Sequence, residues 1–208
     1  MAGRHVFSRD AMNVDTMNDT ASLKFEDKEI ELPVFRGTEG EVALDISKLR
    51  AQTGLITLDK GYKNTGATTS AITFLNGEEG ILHYRGYSIE DLAENASFME
   101  VAYLLVYGDL PDQERLDWFQ DSVRMHTLVH ENMKRFFEAF PMGAHPMGML
   151  SAMSSTLSTF YPGSQDPNRS VEDIELTIHR LIAKLPTLAA QCYKHNMGHP
   201  TVYPANDL

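Results

Sequence analysis

The sequence predicts a mainly α-helical protein with a small β-rich region at its N-terminus. Three observations carry this. Gly and β-branched residues are frequent before residue 84, and helical periodicity takes over after it. Asn76-Gly77 lies between two short apolar segments, and Asn-Gly tolerates the positive φ that a reversing chain needs. Ser97 with Glu100 has capping-box spacing, in which the serine oxygen accepts from one free helix amide and the glutamate reaches back to another. The expected organisation is a flexible extension over 1–22, a β-rich region over 23–84 and a helical part over 85–208.

In the β-rich region, Leu23 to Glu26 and Glu29 to Leu32 alternate apolar and polar, which predicts a hairpin turning at Asp27-Lys28. Leu55 to Leu58 is a short apolar run with strand character. The strongest hairpin runs from Ala71 to Leu75, turns over Asn76 to Gly80 and returns from Ile81 to Tyr84.

Helices follow. Ser88 with Asp91 caps a short one through Ala93, and the Ser97 helix runs from Phe98 to Tyr107 and stops at Gly108. From Asp112, Leu116, Phe119 and Val123 form one apolar stripe. Glu131 to Phe140 is a further helical segment. Met147 to Phe160 contains no charged residue, so it is expected to be a central helix or one that packs against another subunit. Ser170 and Asp173 begin a helix from Val171 to Lys184. Pro186 lacks a backbone donor and is expected to break it from a second piece, Thr187 to Asn196. Asn206 and Asp207 are good N-cap types just before Leu208, and they announce a helix beyond the end of this chain.

Charge and composition narrow the function. Hydrophobic residues make up 42% and charged residues 23% of 208, as in a globular domain with a core of its own. The net charge of −11 argues against a nucleic-acid or anionic-membrane surface. No apolar run approaches the ~18 residues of a membrane span. Arg4, His5 and Arg9 precede no apolar core of a secretory signal, and Asp10, Asp15 and Asp19 oppose a mitochondrial presequence, so the expected location is the cytoplasm. Cys192, the one cysteine, lies in an apolar helical stretch and reads as a buried, inert thiol.

Motifs add little. His126 and His130 are spaced i, i+4 on an expected helix, but a zincin would carry Glu where Thr127 stands, and no metal site is expected. His145 reads as a loop residue before a helix, and His195 and His199 as residues near a helix C-terminus. Glu78-Glu79 falls in a turn, as solvated charge. Arg180 and Lys184 share a helix face, where they either grip a phosphate or stand in solvent.

Larger blocks are more specific. The run Phe74 to Ile89, then Glu100 to Leu105, His145-Pro146-Met147, Lys184 to Ala190, and Gly198-His199-Pro200 leading to Tyr203 through Leu208 resemble citrate synthases, in the order that family has them. The resemblance covers nearly the whole chain from Leu23 and is strongest to the bacterial hexameric branch. It implies the N-terminal part of the large helical domain. It also implies a parent enzyme that condenses acetyl-CoA with oxaloacetate to citrate and CoA in the tricarboxylic acid cycle, and that assembles as a homo-oligomer, a dimer or hexamer. In that family an Asp takes the methyl proton of acetyl-CoA, histidines stabilise the enol and assist attack on the carbonyl, and arginines hold the carboxylates. These groups come from the C-terminal half, so no catalytic residue and no resident cofactor is assigned here, and the chain alone is expected to be inactive.

Hexameric bacterial members bind NADH as an allosteric inhibitor, and the positions matching that site are His126, Tyr161, Arg180 and Lys184. The pattern departs at Met125, where related enzymes tend to carry Arg. Two alternatives stand beside the enzyme fragment. One is a non-catalytic oligomerisation or NADH-sensing module, and the other is a fragment of a 2-methylcitrate synthase.

Overall fold

The computed structural model describes residues 19–205. Most of the expected 1–22 extension, and the capping residues Asn206 and Asp207, lie outside them. The protein is mainly helical, with its strands confined to the N-terminal part. It divides into two compact units, with the chain boundary between Ala96 and Ser97.

The first unit holds two antiparallel three-stranded sheets. One comprises β1 (Thr20–Phe25), β2 (Lys28–Arg36) and β3 (Val42–Leu44). The β1–β2 turn falls on Glu26-Asp27, one residue before the expected position, with Glu26 at φ +52°. The observed register explains the shift. It sets Leu23 against Ile30 and Lys24 against Glu29, whereas a turn at Asp27-Lys28 would set Glu26 against Glu29. Helix α1 (Leu49–Thr53) lies against β2.

Leu55 to Leu58 is not a strand. It runs irregularly, with Ile56 and Leu58 exposed, because no neighbouring segment offers it a ladder. The second sheet contains β4 (Thr73–Asn76), β5 (Ile81–Tyr84) and β6 (Tyr87–Ser88). Asn76 Oδ1 accepts from the amides of Glu78 and Glu79, which fixes the expected turn. A second turn at Arg85-Gly86, both at positive φ, closes β5 onto β6 as a two-residue hairpin. Helix α2 (Ile89–Asn95), capped by Ser88, packs on β5 and β6.

The second unit is helical. The capping box of α3 (Phe98–Tyr107) is complete: the Ser97 amide donates to Glu100 Oε2 at 2.7 Å and the Glu100 amide to Ser97 Oγ. Gly108 ends it at φ +102°, where a side chain would be strained. Asp112 caps α4 (Gln113–Arg124), and α5 (Met133–Glu138) is shorter than the expected segment. Helix α6 (Pro146–Phe160) begins with His145, whose ring accepts from the Met147 amide at 3.2 Å, and Pro146 occupies the first turn where no donor is needed.

Helix α7 corrects the expectation of a break at Pro186. It is continuous from Val171 to Asn196, 26 residues or about 39 Å at the standard rise. An interior proline disfavours a helix by about 3 kcal/mol. Tertiary anchors offset that penalty. Ala183, Lys184, Thr187 and Leu188 flank the proline and all four are buried. Ala183 joins a core with Tyr103, Phe119 and Val123; Leu188 joins another with Met133, Phe137, Met149, Met153, Leu157 and Cys192. Cys192 is 1% exposed, and burial raises its thiol pKa, in keeping with an inert residue.

The charge-free helix α6 buries Met149, Met153 and Leu157 on one face, and Gly148, Ser151, Ala152 and Ser155 lie exposed. Met153 is fully buried against α7 residues. Met153→Ala should therefore lower unfolding free energy by about 2–5 kcal/mol, read as a shift in urea midpoint. A change below about 1 kcal/mol would show that the α6–α7 core is loosely packed.

Candidate functional site

The candidate site residues come from three separate segments of the second unit. His126 lies in the connection between α4 and α5, Tyr161 at the C-terminal end of α6, and Arg180 and Lys184 one turn apart on α7. The structure sets Arg180 and Lys184 against the Tyr161 ring, and His126 joins them only through its carbonyl, which meets the Lys184 ammonium. The Arg180 guanidinium carbon stands 4.8 Å from the ring centroid and the Lys184 ammonium 5.7 Å, both within cation–π range.

Lys184 is neither solvated nor free to grip a ligand. It is 3% exposed, and its ammonium donates to the His126 carbonyl at 2.6 Å and to the Leu128 carbonyl. One turn on, Thr187 Oγ1 donates to the intervening Thr127 carbonyl at 2.9 Å. Three successive carbonyls of the α4–α5 connection are thus tied to one face of α7. His126 and His130 do not share a helix face, because α4 ends at Arg124. The His126 ring donates through Nδ1 to the Ser122 carbonyl, while His130 stacks on Phe160 and its Nδ1 accepts from the Asn132 amide.

Arg180 is held differently. It stacks on Tyr161, and among the described residues its buried Nε has no acceptor. A cavity of about 270 Å³ opens beside it, between α7 and a 3-10 turn over Pro162–Gln165. Arg169, Ser164, Asp173 and Thr177 also line it. Arg169 and Ser164 escape sequence reasoning because both stand in the aperiodic loop before Ser170. The only signal is a basic residue next to a helix cap.

Beside Arg180, His179 faces the opposite way into a buried polar chain. Tyr107 donates its hydroxyl proton to Glu175 Oε1 at 2.7 Å, and its oxygen lies 2.7 Å from His179 Nε2. With that proton directed at the carboxylate, the short contact requires Nε2–H donating to the phenol oxygen. Nδ1 is then the acceptor for the Ser122 hydroxyl, also at 2.7 Å. Edges of Tyr107, Trp118 and Phe119 surround the imidazole. Burial pushes the His179 pKa down, against an upward pull from Glu175 and with a smaller downward push from His126. Burial and the Glu175 contact likewise raise the Tyr107 hydroxyl.

A stability signature follows. Free histidine titrates near 6.5, and folded His179 titrates lower. Above about pH 6.5 both states are neutral and the contribution is fully present. As pH falls below that value the unfolded chain takes up a proton that the folded chain does not, so stability drops until the folded pKa is passed. Urea midpoints measured from pH 7.5 to 5.5 should fall, and the fall should shrink in His179→Gln. An equal fall in both proteins would place the titration elsewhere.

Comparison with known proteins gives a consistent result. The sequence model described as "Citrate synthase, C-terminal domain" matches residues 61–208. Citrate synthase 1 of Mycobacterium tuberculosis is 46% identical over 191 residues, covering 92% of this chain and 44% of that protein. Citrate synthase of Corynebacterium glutamicum is 43% identical over 203 residues, covering 98% of this chain and 46% of that one. The chain thus spans less than half the length of these relatives. Among solved structures, citrate synthase from Thermotoga maritima matches with a TM-score of 0.60 at 27% identity, covering 73% of this chain and 38% of that chain. The ternary complex of carboxymethyl coenzyme A and oxaloacetate with citrate synthase from Thermoplasma acidophilum matches in fold, with a TM-score of 0.63 at 23% identity, over 72% of this chain and 39% of that chain. The chain belongs to the citrate synthase family.

Proposed function

We propose that this chain is the N-terminal part of a citrate synthase whose complete protein condenses acetyl-CoA with oxaloacetate to give citrate and CoA in the tricarboxylic acid cycle. The observation that carries this is 46% identity across 92% of the chain to a citrate synthase of which it spans only 44%. On this reading the chain contributes scaffold and the remaining length contributes chemistry. The methyl protons of acetyl-CoA are weakly acidic, so a base and an enol-stabilising donor must act on them together. The chain by itself is then inactive, and the complete protein is a cytoplasmic homo-oligomer of the bacterial hexameric branch. The uncharged exposed face of α6 supports a subunit contact, since it buries no charge on association.

The decisive assay follows CoA release from acetyl-CoA and oxaloacetate. The 208-residue chain should give none, and the chain joined to the C-terminal half of a close relative should give citrate. A folded joined protein that makes no citrate would overturn the assignment. The same assay with propionyl-CoA decides against a 2-methylcitrate synthase parent if acetyl-CoA gives the higher kcat/KM.

A second reading is that the Tyr161 cluster serves an NADH effector. It is favoured by the Arg180 guanidinium standing over the Tyr161 ring at the edge of an open cavity. Titration with NADH up to millimolar concentration should give saturable binding, and absence of binding would sink this reading together with the sensing-module alternative.

A further inference from the structure

We propose that His179 is a proton-operated latch that holds α3 and α4 against the N-terminal half of α7, so that mild acid opens this half of the helical unit while the α5–α6 half stays closed. The latch uses no part of the Tyr161 surface and is independent of any effector.

The imidazole stands where three helices meet. His179 is 2% exposed and is the one buried histidine among the described residues. Ser122 of α4 donates to its Nδ1, and its Nε2–H meets the Tyr107 oxygen of α3, each at 2.7 Å. The rings of Tyr107, Trp118 and Phe119 surround it, with centroids 5.1–6.4 Å away. Ala183, one turn further along α7, continues the same seam into the cluster of Tyr103, Phe119 and Val123.

This arrangement is complete only for a neutral imidazole. A proton arriving at Nδ1 would face the Ser122 hydroxyl proton, and the hydroxyl would have to turn away. The added charge would meet aromatic rings rather than water. The ionisable groups facing the site supply no direct counter-charge. On α7, Glu175 reaches the imidazole only through the Tyr107 hydroxyl, and burial outweighs its pull toward the charged form. On α3 the facing groups are the phenols of Tyr103 and Tyr107. On α4 they are Arg115 and the capping Asp112, both close enough to act on Tyr103. His126, in the α4–α5 connection, adds a push against protonation. Opening the seam lets water reach the imidazole, so the open form takes up a proton near pH 6.5 and the closed form only at lower pH. As pH falls below about 6.5 the open form therefore gains. The other seam of α7 has no such group, because the cluster around Met153 and Leu188 contains no histidine.

The test is hydrogen–deuterium exchange of the 208-residue chain at pH 7.5 and 5.5, corrected for the chemical exchange rate at each pH. Emission of Trp118 is a second readout, since the chain has one tryptophan. Amides of α3 and α4 should exchange about threefold to tenfold faster at pH 5.5, while those of α5 and α6 change by less than about twofold. Trp118 emission should move to longer wavelength over the same interval. His179→Gln keeps a donor and an acceptor at this position and should lose the rise. Glu175→Gln removes the one charge that favours the imidazolium and should enlarge it. An equal rise in both halves, no rise in α3 and α4, or a rise retained in His179→Gln overturns the latch. If His179→Gln is unfolded at pH 7.5, Glu175→Gln decides, and a rise that is unchanged or smaller in that variant overturns the latch.

Discussion

The second unit depends on a buried ammonium. Lys184 carries charge into a nearly solvent-free position, which is tolerable only because backbone carbonyls surround it. Carbonyls are acceptors without net charge, so Lys184 is stabilised by dipoles rather than by an ion pair. The residues supplying them belong to the α4–α5 connection, a segment with no regular structure of its own. That connection is placed by α7, and α5 and its core residues Met133 and Phe137 follow from it. Replacing Lys184 with an apolar residue would leave the His126 and Leu128 carbonyls without this donor, a larger loss than one hydrogen bond suggests.

The same constraint explains why Pro186 is accepted. A proline inside a helix removes one ladder bond and presses its ring on the preceding turn. Here the turns on either side are fastened to other parts of the unit, by Lys184 and Thr187 to the 126–128 carbonyls and by Ala183 and Leu188 to two hydrophobic clusters. Breaking α7 at residue 186 would unfasten one set or the other. Local propensity argued for two helices, and non-local contacts formed one.

Where pattern is local, the fold was legible in the sequence. The Ser97–Glu100 box, the Ser88 and Ser170 caps and the Asn76 turn each depend on atoms within a few residues, and each appears as expected. The departures involve partners distant in sequence. Leu55 to Leu58 has strand composition and no ladder to join; the β1–β2 turn moved by one residue to keep like charges apart; His126 and His130 fall beyond a helix that ends at Arg124. The convergence of Tyr161, Arg180 and Lys184 could be anticipated only by resemblance, because nothing in spacing alone brings the end of α6 to the middle of α7. Arg169 carried neither signal, since it belongs to no periodic element and to none of the matching blocks.

Helix α7 thus presents two kinds of surface within one turn. His179 turns toward α4 and closes a chain of hydrogen bonds through Ser122, Tyr107 and Glu175. Arg180, the next residue, stacks on Tyr161 and lines the open cavity. A satisfied buried network is rigid, because each member loses its partner if any other moves. Arg180 is held by packing on one side and by Tyr161 on the other, so its ordering cost is already met by folding. The rigidity of the His179 side and the fixed orientation of the Arg180 side are therefore two consequences of one helix being anchored on both faces.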